Sequence, residues 1–112
     1  MKAVILLCLS AAAIVGADKD DWASYGRDPG GQRYSPLKEI NRSNVSRLKI
    51  AWAFRTGDAY QPKHSKPTAF ETTPLYVDGT LYVGTPLGRV IALDPLTGKQ
   101  KWAFDSHIDK NM

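Results

Sequence analysis

The sequence predicts an all-β fold, and three observations support this prediction. Between Leu75 and Phe104, four short apolar runs alternate with turns rich in Gly, Asp and Pro, and each run is too short for a helix. Four short strands in about 30 residues is the size of one β-propeller blade. The triplet Trp-Ala-Phe also occurs twice, at Trp52 and Trp102, which are 50 positions apart. That period lies in the range for propeller blades, and two coincidental triplets are the alternative.

The four predicted strands follow one another directly along the chain. Asp78-Gly79 between the first two is one of the strongest short hairpin signals. The second turn contains glycine at both ends and a proline, and the third combines Asp, Pro, Thr and Gly. The strands are predicted at Leu75–Val77, Leu81–Val83, Val90–Leu93 and from Lys101 to Phe104.

The chain before the blade is less regular. Residues 21–49 are dense in turn formers with thinly spread apolar residues, which predicts a segment lying across a surface and held by its aromatic side chains. A single helical turn is expected over 43–48, with Ser43 or Asn41 as its cap. In residues 50–56 the large apolar side chains recur at every second position, which predicts a strand, whereas 59–69 are polar, contain two prolines and predict a loop.

Composition places the chain among small globular domains, with 112 residues, 43% hydrophobic content and a net charge of +4. The basic residues are scattered among acids and form no run, so no nucleic-acid partner is expected. Residues 1–17 have the charge, apolar region and small-residue end of a secretory signal peptide, with an uncleaved anchor as the alternative. Cys8 lies inside this leader, so residues 18–112 contain no cysteine and form no disulfide.

The length of the domain is small for the architecture that it predicts. Residues 18–112 suffice for about two blades, whereas propellers close with about 4 to 8 blades around a channel. Each repeat leaves an apolar face that only a neighbour covers. We therefore expect an N-terminal portion of a longer propeller. If the chain were complete, it would have to oligomerise or stay poorly folded.

Two stretches resemble one family. Residues 92–102 carry the pattern Asp-x-x-Thr-Gly-x-x-x-Trp, which is similar to the tryptophan-docking motif of quinoprotein propellers. Residues 21–49 resemble the N-terminal signature of dehydrogenases that depend on pyrroloquinoline quinone (PQQ), at Asp21-Trp22, Gly26-Arg27, Tyr34-Ser35, Ile40-Asn41, Asn44-Val45 and Leu48-Lys49. The resemblance implies an eight-bladed propeller with PQQ and a Ca²⁺ ion near its axis, of which this chain supplies one to two blades.

Glu71 is the candidate cofactor-binding residue. The resemblance implies that a Glu just before the first strand of the blade lies beside PQQ. A lone carboxylate next to Phe70 and a β-rich run is also costly to bury without a partner. A solvated loop carboxylate is the alternative. No catalytic or metal-binding residue is assigned, because in the family these residues lie in later blades.

The other polar candidates are predicted to be structural. His64 and His107 lack metal-ligand spacing and are expected at the surface. Arg27 and Arg33 are expected to bond backbone carbonyls or acids rather than substrate. A further set comprises turn or packing residues: Asp94, Thr97, Trp22, Trp52 and Trp102.

The resemblance implies a function for the intact protein, whereas this portion alone is expected to be inactive. It implies oxidation of an alcohol or of a glucose-like sugar, with electrons passing from PQQ to cytochrome c or ubiquinone. It also implies a periplasmic location, and association with the membrane is left open. One alternative is a non-catalytic propeller that acts as an outer-membrane assembly scaffold. Another is a small secreted β-domain that binds a partner through its sheet edges.

Overall fold

The computed structural model describes residues 20–58 and 68–109. Four strands within these ranges form one antiparallel sheet in the order β1-β2-β3-β4. The strands are β1 (Leu75–Val77), β2 (Thr80–Gly84), β3 (Arg89–Leu93) and β4 (Gln100–Asp105). All four predicted strands are confirmed, with ends that differ by at most one residue. The predicted signal peptide and most of the predicted loop, including His64, lie outside the described residues.

The first hairpin has the conformation that its sequence predicts. Asp78 and Gly79 both have positive φ angles, +46° and +66°, and they connect Val77 directly to its partner Thr80. Two successive left-handed residues define the two-residue turn whose twist matches that of the flanking strands. Glycine adopts this region freely, and Asp is one of the few other residues enriched there. Chain reversal at Asp78-Gly79 therefore fixes the register of β1 against β2.

The antiparallel register brings one terminus of each of the four strands to the same end of the sheet. Leu75 opens β1, Gly84 closes β2, Arg89 opens β3 and Asp105 closes β4. We call this the upper edge, and the opposite one the lower edge. Consequently, the segment leading into β1, the β2–β3 turn and the chain after β4 all meet at the upper edge.

The buried core is small and lies in β3. Among the described residues, the apolar side chains classed as buried are Ile91, Ala92 and Leu93, each at most 2% exposed. The last strand is exposed along its whole length, with Trp102 at 47% and Phe104 at 61%. Because the register places Trp102 opposite Ala92, one face of the sheet presents aromatic surface at its outer strand.

Residues 50–56 do not form the predicted strand, because they have no ladder partner among the described residues. Exposure alternates residue by residue along 51–57, as in an extended chain, and we call residues 50–58 the extended segment. They are held instead by side chains. The indole Nε1 of Trp52 donates to the carbonyl of Pro95 at 2.9 Å, and its ring occupies the space where Gly98 lacks a Cβ. Farther along, Arg89 donates to the carbonyl of Thr56. The segment therefore runs beside the sheet to the upper edge from the β3–β4 turn, residues 94–99, which we call the lower-edge turn.

The region before residue 50 attaches to the free side of β1. Trp22 and Tyr76 exchange two backbone hydrogen bonds of 2.7 and 3.1 Å, which adds a one-residue bridge to the sheet. The side chains of Tyr25 and Tyr34 are 62% and 63% exposed. The expectation that aromatic side chains hold this segment is therefore wrong for these two tyrosines. Hydrogen bonds attach the segment to the sheet at the backbone bridge of Trp22 and at Asp21, whose Oδ1 accepts from the Asp78 N–H at 3.1 Å.

The predicted helical turn is present as a 3₁₀ helix over Val45–Arg47. Its N-cap is Asn44, not Ser43 or Asn41 as predicted. The reason is local hydrogen bonding: Oδ1 of Asn41 accepts from the Ser43 backbone N–H at 2.9 Å and from its hydroxyl at 2.6 Å. Both predicted caps are therefore engaged with each other, one turn before the helix begins. No helix in the described ranges is long and apolar enough to cross a membrane.

Candidate functional site at the upper edge

Glu71 lies at the upper edge, in the lead-in segment formed by residues 71–74. Its side chain is exposed, and no described residue gives it a hydrogen bond or an ion pair. It borders a cleft of about 490 Å³ whose other lining residues come from the N-terminal segment, the lead-in segment and the sheet: Tyr25, Thr72, Thr73, Leu75, Tyr82, Gly84 and Val90. The predicted cofactor residue is therefore accessible and open to a ligand, and its predicted role stays a prediction.

The floor of this cleft is apolar because of strand register. Leu75 pairs with Tyr82, and Tyr82 pairs with Ala92. Val90, two residues from Ala92, lies on the same face as all of them. Tyr25 forms a wall, and the Arg33 guanidinium lies 4.5 Å from the centre of its ring. An exposed carboxylate beside an apolar floor suits a flat ligand that carries polar groups at its rim.

A second cluster at the upper edge joins the extended segment to β3. Asp58 is 4% exposed, and its carboxylate accepts hydrogen bonds from two nitrogens of the Arg89 guanidinium. Nε donates to Oδ2 at 3.1 Å, and Nη2 donates to Oδ1. The hydrogen bond to Asp58 raises the pKa of Arg89 above its ordinary value. This two-point pairing with a guanidinium compensates the negative charge of the Asp58 carboxylate, which would be costly to bury alone. The pair therefore closes the extended segment onto the sheet. No motif in the sequence indicates that Asp58 pairs with Arg89.

The polar groups of the lower-edge turn form hydrogen bonds with one another. Oδ1 of Asp94 accepts from the backbone N–H of Thr97 at 2.8 Å, from that of Leu96 at 2.9 Å and from the Thr97 hydroxyl at 3.0 Å. The backbone hydrogen bond from Thr97 is the main reason that the pKa of Asp94 is lowered. The predicted turn role of Asp94 and Thr97 is confirmed, because the carboxylate organises the loop.

The predictions for Arg27 and His107 are confirmed, whereas the prediction for Arg33 is wrong. Arg27 donates to the carbonyl of Tyr34 at 2.9 Å, as predicted. Arg33 instead donates to the hydroxyl of Tyr25 and lies over its ring, so the expectation of a carbonyl or acid partner is wrong. His107 is at the surface, with 88% of its side chain exposed, as predicted. Within the described ranges, no group of three or more His, Cys, Asp or Glu side chains is placed to hold a metal ion.

Comparison with known proteins places this geometry in context. Residues 22–112 match the family described as glucose/ethanol/alcohol dehydrogenase, β-propeller domain, abbreviated PQQ. The chain is 48% identical over 101 residues to quinoprotein glucose dehydrogenase of Escherichia coli K12. It is 45% identical over 84 residues to the glycerol dehydrogenase large subunit of Gluconobacter thailandicus. The matches cover 90% and 75% of this chain but 13% and 11% of the relatives.

Solved structures show the same relationship. The chain superposes on quinohemoprotein alcohol dehydrogenase from Comamonas testosteroni with a TM-score of 0.69 at 36% identity, covering 80% of this chain and 12% of that one. It superposes on a europium-containing methanol dehydrogenase with a TM-score of 0.67 at 32% identity, covering 82% and 15%. The described sheet therefore has the fold of a small part of these proteins.

Proposed function

The chain belongs to the family of PQQ β-propeller dehydrogenases, and from that premise we propose that it works as part of an enzyme that oxidises the CH–OH group of a sugar or an alcohol. The observation that carries the proposal is the family match over residues 22–112. The relatives are named as glucose, glycerol and alcohol dehydrogenases, which supports a sugar or an alcohol as the substrate class. The chain spans about an eighth of their length, 13% of the glucose dehydrogenase and 11% of the glycerol dehydrogenase large subunit. Activity therefore belongs to the longer protein.

Glu71 is the residue of this chain that we propose to contact PQQ. Its carboxylate has no partner among the described residues and stands beside an apolar floor, which fits the rim of a flat, polar cofactor. When bound, PQQ supplies the two-electron redox chemistry, and the protein positions it. The contribution of Glu71 is to accept a hydrogen bond and to orient the cofactor at the upper edge.

The fit is different for Ca²⁺. Glu71 is a single carboxylate, and the described ranges hold no cluster of three or more side chains suited to a metal ion. Calcium takes about six to eight oxygen ligands, so these residues by themselves do not fit it. The proposal therefore assigns any cation to other parts of the enzyme, and no step is attributed to one in this chain.

We further propose that the enzyme is exported to the periplasm and passes its electrons to cytochrome c or ubiquinone. The leader-like composition of residues 1–17 supports export. A scaffold propeller would share the docking turn at Asp94 but would have no use for an open carboxylate at Glu71. The dehydrogenase names of the relatives also favour the enzyme.

The test is a graft that provides the missing part of the propeller. Residues 22–112 replace the segment of the Comamonas testosteroni enzyme on which they superpose. PQQ is then titrated into the apo-graft, and its dissociation constant is measured by fluorescence quenching. We expect binding in the unmodified graft and at least tenfold weaker binding in Glu71→Gln, because the neutral amide is a weaker acceptor.

Glu39→Gln is the matched control, because Glu39 is the other glutamate of the chain and is also exposed. It is expected to leave PQQ binding unchanged. A folded graft that takes up no PQQ would contradict the proposed function. Equal affinities of the Glu71→Gln and unmodified grafts would contradict only the assignment of Glu71.

A further inference from the structure

We infer that Gly84 and Thr72 position the Glu71 carboxylate, so that the absence of a side chain at position 84 sets the affinity of the upper edge for PQQ. The inference rests on the proposed contact between Glu71 and the cofactor. It concerns two residues that do not themselves need to touch PQQ.

A glycine at position 84 is explained by the close approach of Thr72, which leaves little room for a side chain, and not by its backbone conformation. Gly84 ends β2 and does not have a positive φ angle, so another residue could adopt its backbone. A Cβ at this position would lie 3.2 Å from Cγ2 of Thr72 and 3.6 Å from its Oγ1. Glycine inside a strand weakens it and marks close approach of another part of the chain. Gly84 therefore makes room for the lead-in segment to cross the end of β2.

The lead-in segment transmits a displacement because it is stiff. Leu75 is fixed in β1 by its pairing with Tyr82. The ring of Pro74 fixes its own φ angle and restricts Thr73 to extended conformations. Between this anchor and Gly84 the backbone has little freedom to absorb a shift. A methyl group at position 84 would push Cγ2 of Thr72 away by a few tenths of an ångström, and we infer that this shift reaches Glu71, the residue just before Thr72.

The experiment measures PQQ affinity in the same graft, with Gly84→Ala as the perturbation. We expect the dissociation constant to rise about fivefold, less than for Glu71→Gln, because the carboxylate is displaced and not removed. Thr72→Ser deletes Cγ2, the atom nearest the new methyl group. The double variant Gly84→Ala/Thr72→Ser is therefore expected to bind PQQ within twofold of Thr72→Ser alone, which is measured as its reference.

Gly30→Ala is the matched control. Gly30 also lacks a positive φ angle, and a Cβ there would lie 3.2 Å from a side-chain atom, Oδ1 of Asp28, yet Gly30 does not line the Glu71 cleft. It is expected to leave the affinity unchanged. Thermal melting of every variant reports on folding separately.

The outcomes separate the two proposals. Rescue of Gly84→Ala by Thr72→Ser supports positioning, since general damage to the sheet would not be repaired by removing one methyl group from the lead-in segment. Unchanged affinity in Gly84→Ala, or a loss that Thr72→Ser fails to repair, would overturn it while leaving the Glu71 contact intact. If Glu71→Gln itself binds PQQ normally, the contact fails and the positioning role fails with it.

Discussion

The contact between Trp52 and the lower-edge turn gives the most demanding test of the fold. The perturbations are Trp52→Ala, Gly98→Ala and the double variant. Trp52 is half-buried, so its truncation loses about half of the roughly 4 kcal/mol typical of a buried Trp-to-Ala change. The hydrogen bond from its indole to Pro95 adds about 1 kcal/mol. Together these give a loss of about 3 kcal/mol.

Gly98→Ala is expected to cost at least as much. Gly98 has a φ angle of +69°, a conformation that costs an L-residue about 1 kcal/mol. Its new Cβ would lie 2.5 Å from Cδ2 and Cε3 of Trp52, so the indole must leave its place and the docking energy is lost as well. In the double variant no indole remains to be displaced. The two changes should therefore be strongly non-additive, with a coupling of about 3 kcal/mol.

Amide hydrogen exchange provides the assay, because it reports local opening. In the graft, exchange is followed by mass spectrometry on peptides that contain the lower-edge turn. There the Gly98 N–H donates to the Asp94 carbonyl at 2.8 Å, and the Asp94 N–H donates to the Lys99 carbonyl at 2.8 Å. A loss of about 3 kcal/mol corresponds to exchange faster by roughly a hundredfold. Additive effects of the two substitutions would refute the inference that the ring and the glycine form one packing unit.

Two further predictions concern charged groups. Arg89→Met should lower the melting temperature of the graft by several degrees, because the buried Asp58 carboxylate loses the Arg89 guanidinium, and Arg89→Met/Asp58→Leu should recover most of the loss. A double variant no more stable than the single one would contradict this prediction. The pKa of Asp94 is lowered by folding, so its stabilising contribution is complete above the ordinary value of 3.8 and is lost as the pH falls through the lower folded pKa. Asp94→Asn should therefore flatten the acid limb of a melting-temperature profile, and an unchanged slope would contradict the prediction.

Local chemistry explains which elements could be predicted from the sequence. The Asp78-Gly79 turn and the Asp94–Thr97 loop are specified by residues that are neighbours in the chain, and both were predicted with the strands that they join. The pairing of Asp58 with Arg89 spans 31 positions and has no periodic signal. Its energy depends on where the fold brings two ordinary residues together, and a single sequence does not display that.

The same distinction explains the prediction at the candidate site. The place of Glu71 before β1 could be read from the chain order, and its role was implied by the family resemblance. Its surroundings could not be read, because the cleft joins Tyr25, the lead-in segment and residues on one face of the sheet. Gly84 was predicted only as part of a turn, whereas its contact with Thr72 depends on how the lead-in segment crosses β2.

The failed strand prediction over 50–56 shows that a period of two does not require a ladder. Exposure alternates along residues 51–57, with Trp52, Phe54 and Thr56 more covered than their neighbours, although no described strand pairs with them. Docking of one side of an extended chain against a packed surface is sufficient to produce this alternation.

The second copy of the triplet shows the complementary situation. Trp102 belongs to a paired strand but remains 47% exposed, and it contacts Tyr82 with a ring-centre distance of 5.9 Å. Pairing therefore does not bury this indole, and docking buries Trp52 without pairing. In a repeat architecture each unit needs both, since strand pairing completes a blade while contact between neighbours buries its faces. Because strand pairing does not depend on burial of the faces, a four-stranded sheet can form with a core of few buried apolar residues. The aromatic face at Trp102 and Phe104 is the kind of surface that a neighbouring blade covers in the propeller fold of this family.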